Sequence, residues 1–254
     1  LEHCYALTSH ATLTVEPGPD ADCMRWRCAP PLVLRQTGPN RVHLVHAAGG
    51  PLGGDELALD VLLGAHARLH VRSAAATVVQ PSSPTAPARW TVVADLADGA
   101  VLDWCPEPTV VCDDAELYSS MTVALQGGGR AVLREMMVLG RAGQRGGRFQ
   151  GALTVEHDGA PLLAHTLLLD GADPVLAGPA GTGGARVVGM LAAVGERIGA
   201  PPDSTGEEPG LRWACSVLDG PGWLLLALGD HPAAVSKLLN KVTTHMCAAG
   251  SLLS

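Results

Sequence analysis

Aromatic residues are scarce. Only 3% of the 254 residues are Trp, Tyr or Phe, and Phe occurs once. A core must therefore be built from Val, Leu and Ala, and the 47% hydrophobic fraction is enough for one. Lysine is nearly absent: Lys237 and Lys241 stand alone, and every other basic residue is arginine. The formal net charge of −8 argues against nucleic acid as a main partner, since phosphate binding needs a basic surface. Long apolar runs are missing too. "WLLLAL" at 223–228 falls far short of the ~20 residues that span a bilayer, so no membrane partner is expected. The opening "LEHCYALTSH" lacks a basic region followed by an apolar run, so it does not read as a signal peptide. The 7 cysteines are odd in number and scattered, which points to reduced thiols and a cytoplasmic location. Gly-x-Ser-x-Gly and His-Glu-x-x-His are absent, so no nucleophile elbow or zincin helix is encoded.

What is present is alternation. With 31 Gly and 19 Pro punctuating the chain, many short strands are expected. In "ELALDVLL", Leu57, Leu59, Val61 and Leu63 share one face; in "HARLHVR", Ala67, Leu69 and Val71 do. Further strands are predicted at 12–15, 42–46, 90–96, 109–112, 121–125, 152–157, 162–168, 186–194, 211–218 and 223–228. No fixed sequence period marks a solenoid. Residues 199–210, "GAPPDSTGEEPG", read as a mobile loop. One helix is clear near the C-terminus. Val235, Leu238, Leu239, Val242 and Met246 follow helical spacing, Asp230 or His231 caps the start, Pro232 fits the first turn and Gly250 ends it. "RAVLREMMVLG" at 130–140 fits a strand or a second short helix. No linker divides the chain, so 1–254 is expected to form one domain, mainly β.

Candidate ligands are weak singly. On a strand, His66 and His70 would lie ~13 Å apart at about 3.3 Å per residue, too far to share a metal. His43 and His46 fall on opposite faces of theirs. Cys23 and Cys28 lack a second pair at zinc-finger spacing. Cys112 reads as a buried structural thiol. "GPAGTGG" at 178–184 lacks the Gly-Lys-Ser/Thr ending of a phosphate loop, and "GGPLGGD" at 49–55 precedes a strand rather than a helix. Two acids remain. Asp55 lies between a glycine-rich turn and an apolar strand, and Glu135 sits among Leu133, Met136 and Met137. A carboxylate in apolar surroundings is costly unless paired or bound to a cation, and Arg141 is the natural candidate partner.

Four stretches, taken in order, carry more. "GGPLGGDEL" (49–57), "SAAATVVQPS" (73–82), "LDWCPEPTVVCDDAEL" (102–117) and "REMMVLGR" (134–141) resemble the motifs of the UreD (UreH) family of urease accessory proteins. By position, Gly50, Gly54 and Asp55 match its glycine–aspartate motif. Pro106, Pro108 and Thr109 match Pro-x-Pro-Thr; Glu135, Gly140 and Arg141 match Glu…Gly-Arg. The chain departs from the pattern at Val78 (usually Lys), Gln80 (Tyr), Cys105 (Leu) and Gly147 (an acid).

The resemblance implies a mainly β, β-helix-like layering of short strands and a non-catalytic chaperone. Such a protein binds apo-urease and, with UreF and the GTPase UreG, helps deliver nickel through an internal passage. Nickel would be cargo, with no tightly bound cofactor. Nickel in transit needs exchangeable ligands, and carboxylates suit that better than thiolates. Asp55 and Glu135 are therefore the expected lining. Two other classes stay open: a metal-dependent hydrolase using Asp55, His70 and Glu135, which needs three ligands within about 2.0–2.2 Å of one metal, and a plain β-rich adaptor.

Overall fold

A computed structural model describes residues 6–18, 22–82 and 86–248. In chain order the elements begin with β1 (Thr8–Glu16), β2 (Cys23–Arg27), β3 (Leu32–Gly38), β4 (Arg41–His46), β5 (Glu56–Leu63) and β6 (Arg68–Ser73). Next come β7 (Thr77–Val79), β8 (Ala88–Leu96), β9 (Val101–Trp104), β10 (Thr109–Val111), β11 (Glu116–Leu125) and β12 (Arg130–Leu139). The chain continues through β13 (Arg148–His157), β14 (Ala160–Asp170), β15 (Val187–Gly195), β16 (Thr205–Glu208), β17 (Leu211–Val217) and β18 (Gly222–Gly229) to helix α1 (Pro232–Ala248).

The strands form two facing sheets. The first runs β14-β13-β11-β8-β5-β1-β2; the second runs β16-β17-β18-β15-β12-β9-β6-β4-β3, with β7 and β10 stacked beside the far half of β12. The middle is a solenoid. Chain path β5–β6–β7 is one coil, β8–β9–β10 the next, and β11–β12 begins a third, each strand pairing in parallel with its counterpart above. Glu56 pairs with Arg89, Arg89 with Tyr118 and Glu116 with Arg148, steps of 33, 29 and 32 residues. The structural repeat is real, but unequal turns and unrelated side chains hide it from any sequence period. Antiparallel hairpins β1–β2, β3–β4, β13–β14 and β16–β17 close the stack on both sides, so the outermost strands are short or locally paired.

The core lies between the sheets and is aliphatic. Leu13, Leu34, Leu59, Leu69, Leu102, Leu125 and Leu133 are all essentially inaccessible. A second apolar layer sits outside the second sheet, where α1 covers β15 and β18 with Val235, Leu239, Val242 and Met246. That explains why β15, "VVGMLAAVG", is buried along its whole length rather than alternately. Gly189 makes the close approach possible, because a Cβ there would stand 2.4 Å from Val235 Cγ1.

Several expectations are revised. Residues 130–139 are strand β12, so no second helix forms among the described residues. Residues 205–208 are not loop but strand β16, paired with β17. Strands β2, β3, β7 and β9 also form, beyond those expected. His66 lies in a turn with φ of 65° rather than on a strand with His70. Helix α1 starts at Pro232 as expected, with the Ala234 amide donating to the His231 carbonyl at 3.1 Å. Gly250, the expected stop, lies outside the described residues.

Candidate functional site

Strand β12 points Ala131, Leu133, Met137 and Leu139 into the space between the sheets, and the period of two puts Glu135 in the same row. Its cross-strand neighbour is Met190, also inward. From the facing sheet, Ser119 Oγ lies 3.4 Å from Glu135 Oε1. No salt bridge among the described residues involves Glu135. Burial therefore dominates and pushes its carboxyl up to about 7, with the Ser119 hydroxyl pulling weakly the other way. The side chain still keeps some accessible surface, because it faces a partly open cavity of about 80 Å³ between the sheets, whose lining includes the exposed Glu107. His46, Trp90, Ser119, Met121 and Met190 line the same space. It has room for a few waters and enough polar groups to hold them.

A second void, of about 30 Å³, adjoins the first: His46, Pro51 and Leu57 belong to both linings. Asp55 borders the smaller one. Its Oδ1 accepts from the Leu7 amide at 2.8 Å and its Oδ2 from the Leu52 amide at 2.9 Å, so the carboxylate pins the turn that launches β5. His46 stands between the voids, its ring tilted 58° to Trp90 with centroids 6.3 Å apart. Burial lowers its pKa, against the opposing pull of the Gly50 backbone. A neutral imidazole keeps a lone pair for a cation.

The motif residues are far apart in sequence and gather around these voids in part. Gly50 borders the smaller void, Pro106 and Thr109 line the larger one, and Pro108 accepts the Thr77 amide that joins β7 to β10. Gly54, with φ of 90°, donates to the Pro87 carbonyl at 3.1 Å. Gly140 and Arg141 do not join them. Gly140 turns the chain at the end of β12 with φ of 69°, and Arg141 is exposed. Arg141 is thus not the partner of Glu135, because the turn directs it away from the core. Gly147 has no room for the acid the motif usually carries: a Cβ there would meet the Ala115 carbonyl oxygen at 2.1 Å.

The hydrolase arrangement does not form. His70 lies on the outer face of the second sheet, with Nδ1 2.9 Å from Asp103 Oδ2, whereas Glu135 points inward. Among the described residues no group of three or more His, Cys, Asp or Glu side chains is close enough to hold a metal. Cys112 is buried, as expected of a structural thiol. His46 is the lining residue that sequence reasoning passed over. The signal was its parity with Val42 and Leu44, which places it inward, while His43 faces out.

The UreD urease accessory protein family model matches residues 11–252. A UreD of Frankia alni is 39% identical over 92% of this chain and 91% of its own length. One from Streptomyces coelicolor is 38% identical over 83% of this chain and 84% of its own, and UreD 2 of Saccharopolyspora erythraea is 34% identical over 92% and 83%. With a mainly β solenoid, a single described helix and part of its motif residues lining two adjoining voids, this chain belongs to the UreD family of urease accessory proteins.

Proposed function

We propose that the protein is a non-catalytic chaperone of urease maturation that works in the cytoplasm. It binds apo-urease and, with UreF and UreG, passes nickel toward the urease active site through the space between its two sheets. The observation that carries this reading is Glu135, an ion-pair-free carboxylate facing an internal cavity that also presents a neutral imidazole. Such a group is about half protonated near neutral pH when the cavity is empty. An entering divalent cation displaces that proton, and one carboxylate with one imidazole binds loosely enough to release it again. Asp55 serves the same route from the smaller void, with two of its lone pairs already held by backbone amides.

The test is urease activation in cells supplying the other accessory proteins. Glu135→Gln, alone and with Asp55→Asn, is expected to lower nickel incorporation into urease while the complex with UreF still forms. Full activation by the double variant would overturn the nickel route. A plain adaptor would show that outcome, because its contacts lie on the surface.

A further inference from the structure

The outer face of the second sheet has two halves. Helix α1 covers β15 and β18, and Arg134 on β12 reaches it through Ser236 and Asn240. The outer face is open over β3, β4 and β6, where Arg35 and Arg41 are exposed and His43, His70 and Arg72 are half-buried; on β9 and β12 Val101, Asp103 and Val132 are buried, and Arg130 at the start of β12 is half-buried. Register sorts its side chains into rows. Arg35 sits beside His43, and His43 beside Arg72. Arg41, His70, Asp103 and Val132 form the next row, then Arg68, Val101 and Arg130. All point outward, since Leu34, Val42, Leu44, Leu69, Val71 and Leu102 fill the core from the alternate positions. Arg197, exposed just beyond β15, joins Arg68 and Arg130 around a cleft of about 480 Å³ with Asp98 and Glu196 also lining it.

These rows hold a single carboxylate, Asp103, and it is already used. His70 and Arg72 both bind it, and although burial pushes its carboxyl up, their hydrogen bonds hold it below the usual range. Arg35, Arg41, Arg130 and Arg197 join none of the ion pairs among the described residues. Burial, with the neighbouring charges of Arg68 and Arg197, lowers the Arg130 pKa, and its buried Nε has no hydrogen-bond partner. Like charges on neighbouring strands disfavour a sheet. The first sheet avoids this by mixing signs, with His10 against Asp60 and Arg148 near Glu116 and Asp170.

We propose that this arginine face docks a protein surface bearing clustered carboxylates. Guanidinium forks match carboxylates in pairs, and the three open strands at about 4.8 Å spacing give a strip about 10 Å wide, the scale of one helix. The formal charge of −8 on the whole chain disfavours a long polyanion such as RNA, which would run past the strip onto like charge. The proposal adds a docking chemistry to the scaffold reading above, and its binding test does not depend on nickel.

The test compares the full chain with two variants of equal charge change. One carries Arg35→Glu, Arg41→Glu and Arg197→Glu; the other carries Arg25→Glu, Arg27→Glu and Arg145→Glu, exposed elsewhere. The probes are a short fluorescent peptide of alternating Glu and Gly and an oligoribonucleotide of the same charge. Affinity for the peptide is expected to fall about tenfold or more in the first variant only, and to weaken with salt. A milder set, Arg35→Gln, Arg41→Gln and Arg197→Gln, gives a smaller loss and serves if the reversed set unfolds. Equal loss in both charge-reversed variants, no loss in either set, or tighter binding of the oligoribonucleotide overturns the proposal. Failure of the nickel route is read separately, from urease activation by Glu135→Gln.

Discussion

Glu135 carries most of the chemistry, and its cost is measurable. Its folded-state pKa, about 7, is above the ordinary value of 4.5, so the folded protein holds this proton more tightly than the unfolded chain. Stability is therefore greatest below the ordinary value and falls as pH rises through the folded one, then levels off. The loss between pH 5 and 8 is on the order of 3 kcal/mol from this group. Urea unfolding of the protein and of Glu135→Gln at both pH values checks it: the variant is expected to lose this part of the slope and to exceed the parent at pH 8. Asp55 has a different role, accepting hydrogen bonds from two backbone amides. Asp55→Asn puts an amide group toward one of two backbone N–H donors, leaving that buried donor unpaired at about 1–3 kcal/mol. A melting temperature unchanged by that substitution would contradict the turn-pinning role. Both acids were visible in the sequence as carboxylates in apolar surroundings. Their difference was not, because whether a carboxylate meets amides or a cavity depends on what the fold brings beside it.

At the scale of elements, β15 and α1 form one unit. The helix was legible from its apolar spacing, since Val235, Leu239, Val242 and Met246 are all buried. Their seat was not legible. "VVGMLAAVG" is a continuous apolar run with no period, and only the structure shows the core on one side and the helix on the other. Leu239→Ala is expected to cost about 2–5 kcal/mol by opening a cavity. Gly189→Ala costs about 1–3 kcal/mol by pressing Val235 off the sheet. Denaturant titration gives both values. Strand β12 shows the opposite case. Its sequence fits helix and strand about equally, and pairing on both sides, with β9 and β15, decides for strand. Likewise "TGEE" at 205–208 has no strand propensity of its own, and β17 recruits it.

For the whole molecule, the parallel coils join residues about 30 apart in sequence at every step. Chain closure over such distances precedes the contacts that reward it, so folding is slow. Stopped-flow refolding followed by tryptophan fluorescence is expected to take milliseconds to seconds or longer; complete recovery in microseconds would contradict a non-local nucleus. Charge is also arranged at this scale. A chain of net −8 gathers arginines on one open half-face, which no sum over the sequence reveals.

The sequence by itself determined the β class, the aliphatic core, the C-terminal helix and the family, because these rest on local periodicity and on short motifs in fixed order. Tertiary structure alone decided the coil stacking, the meeting of His46 and Glu135 at one cavity, the separation of Arg141 from both and the arginine face. Each of these depends on strand register and sheet pairing. Register is chosen by packing between segments tens of residues apart, and no single segment contains that information.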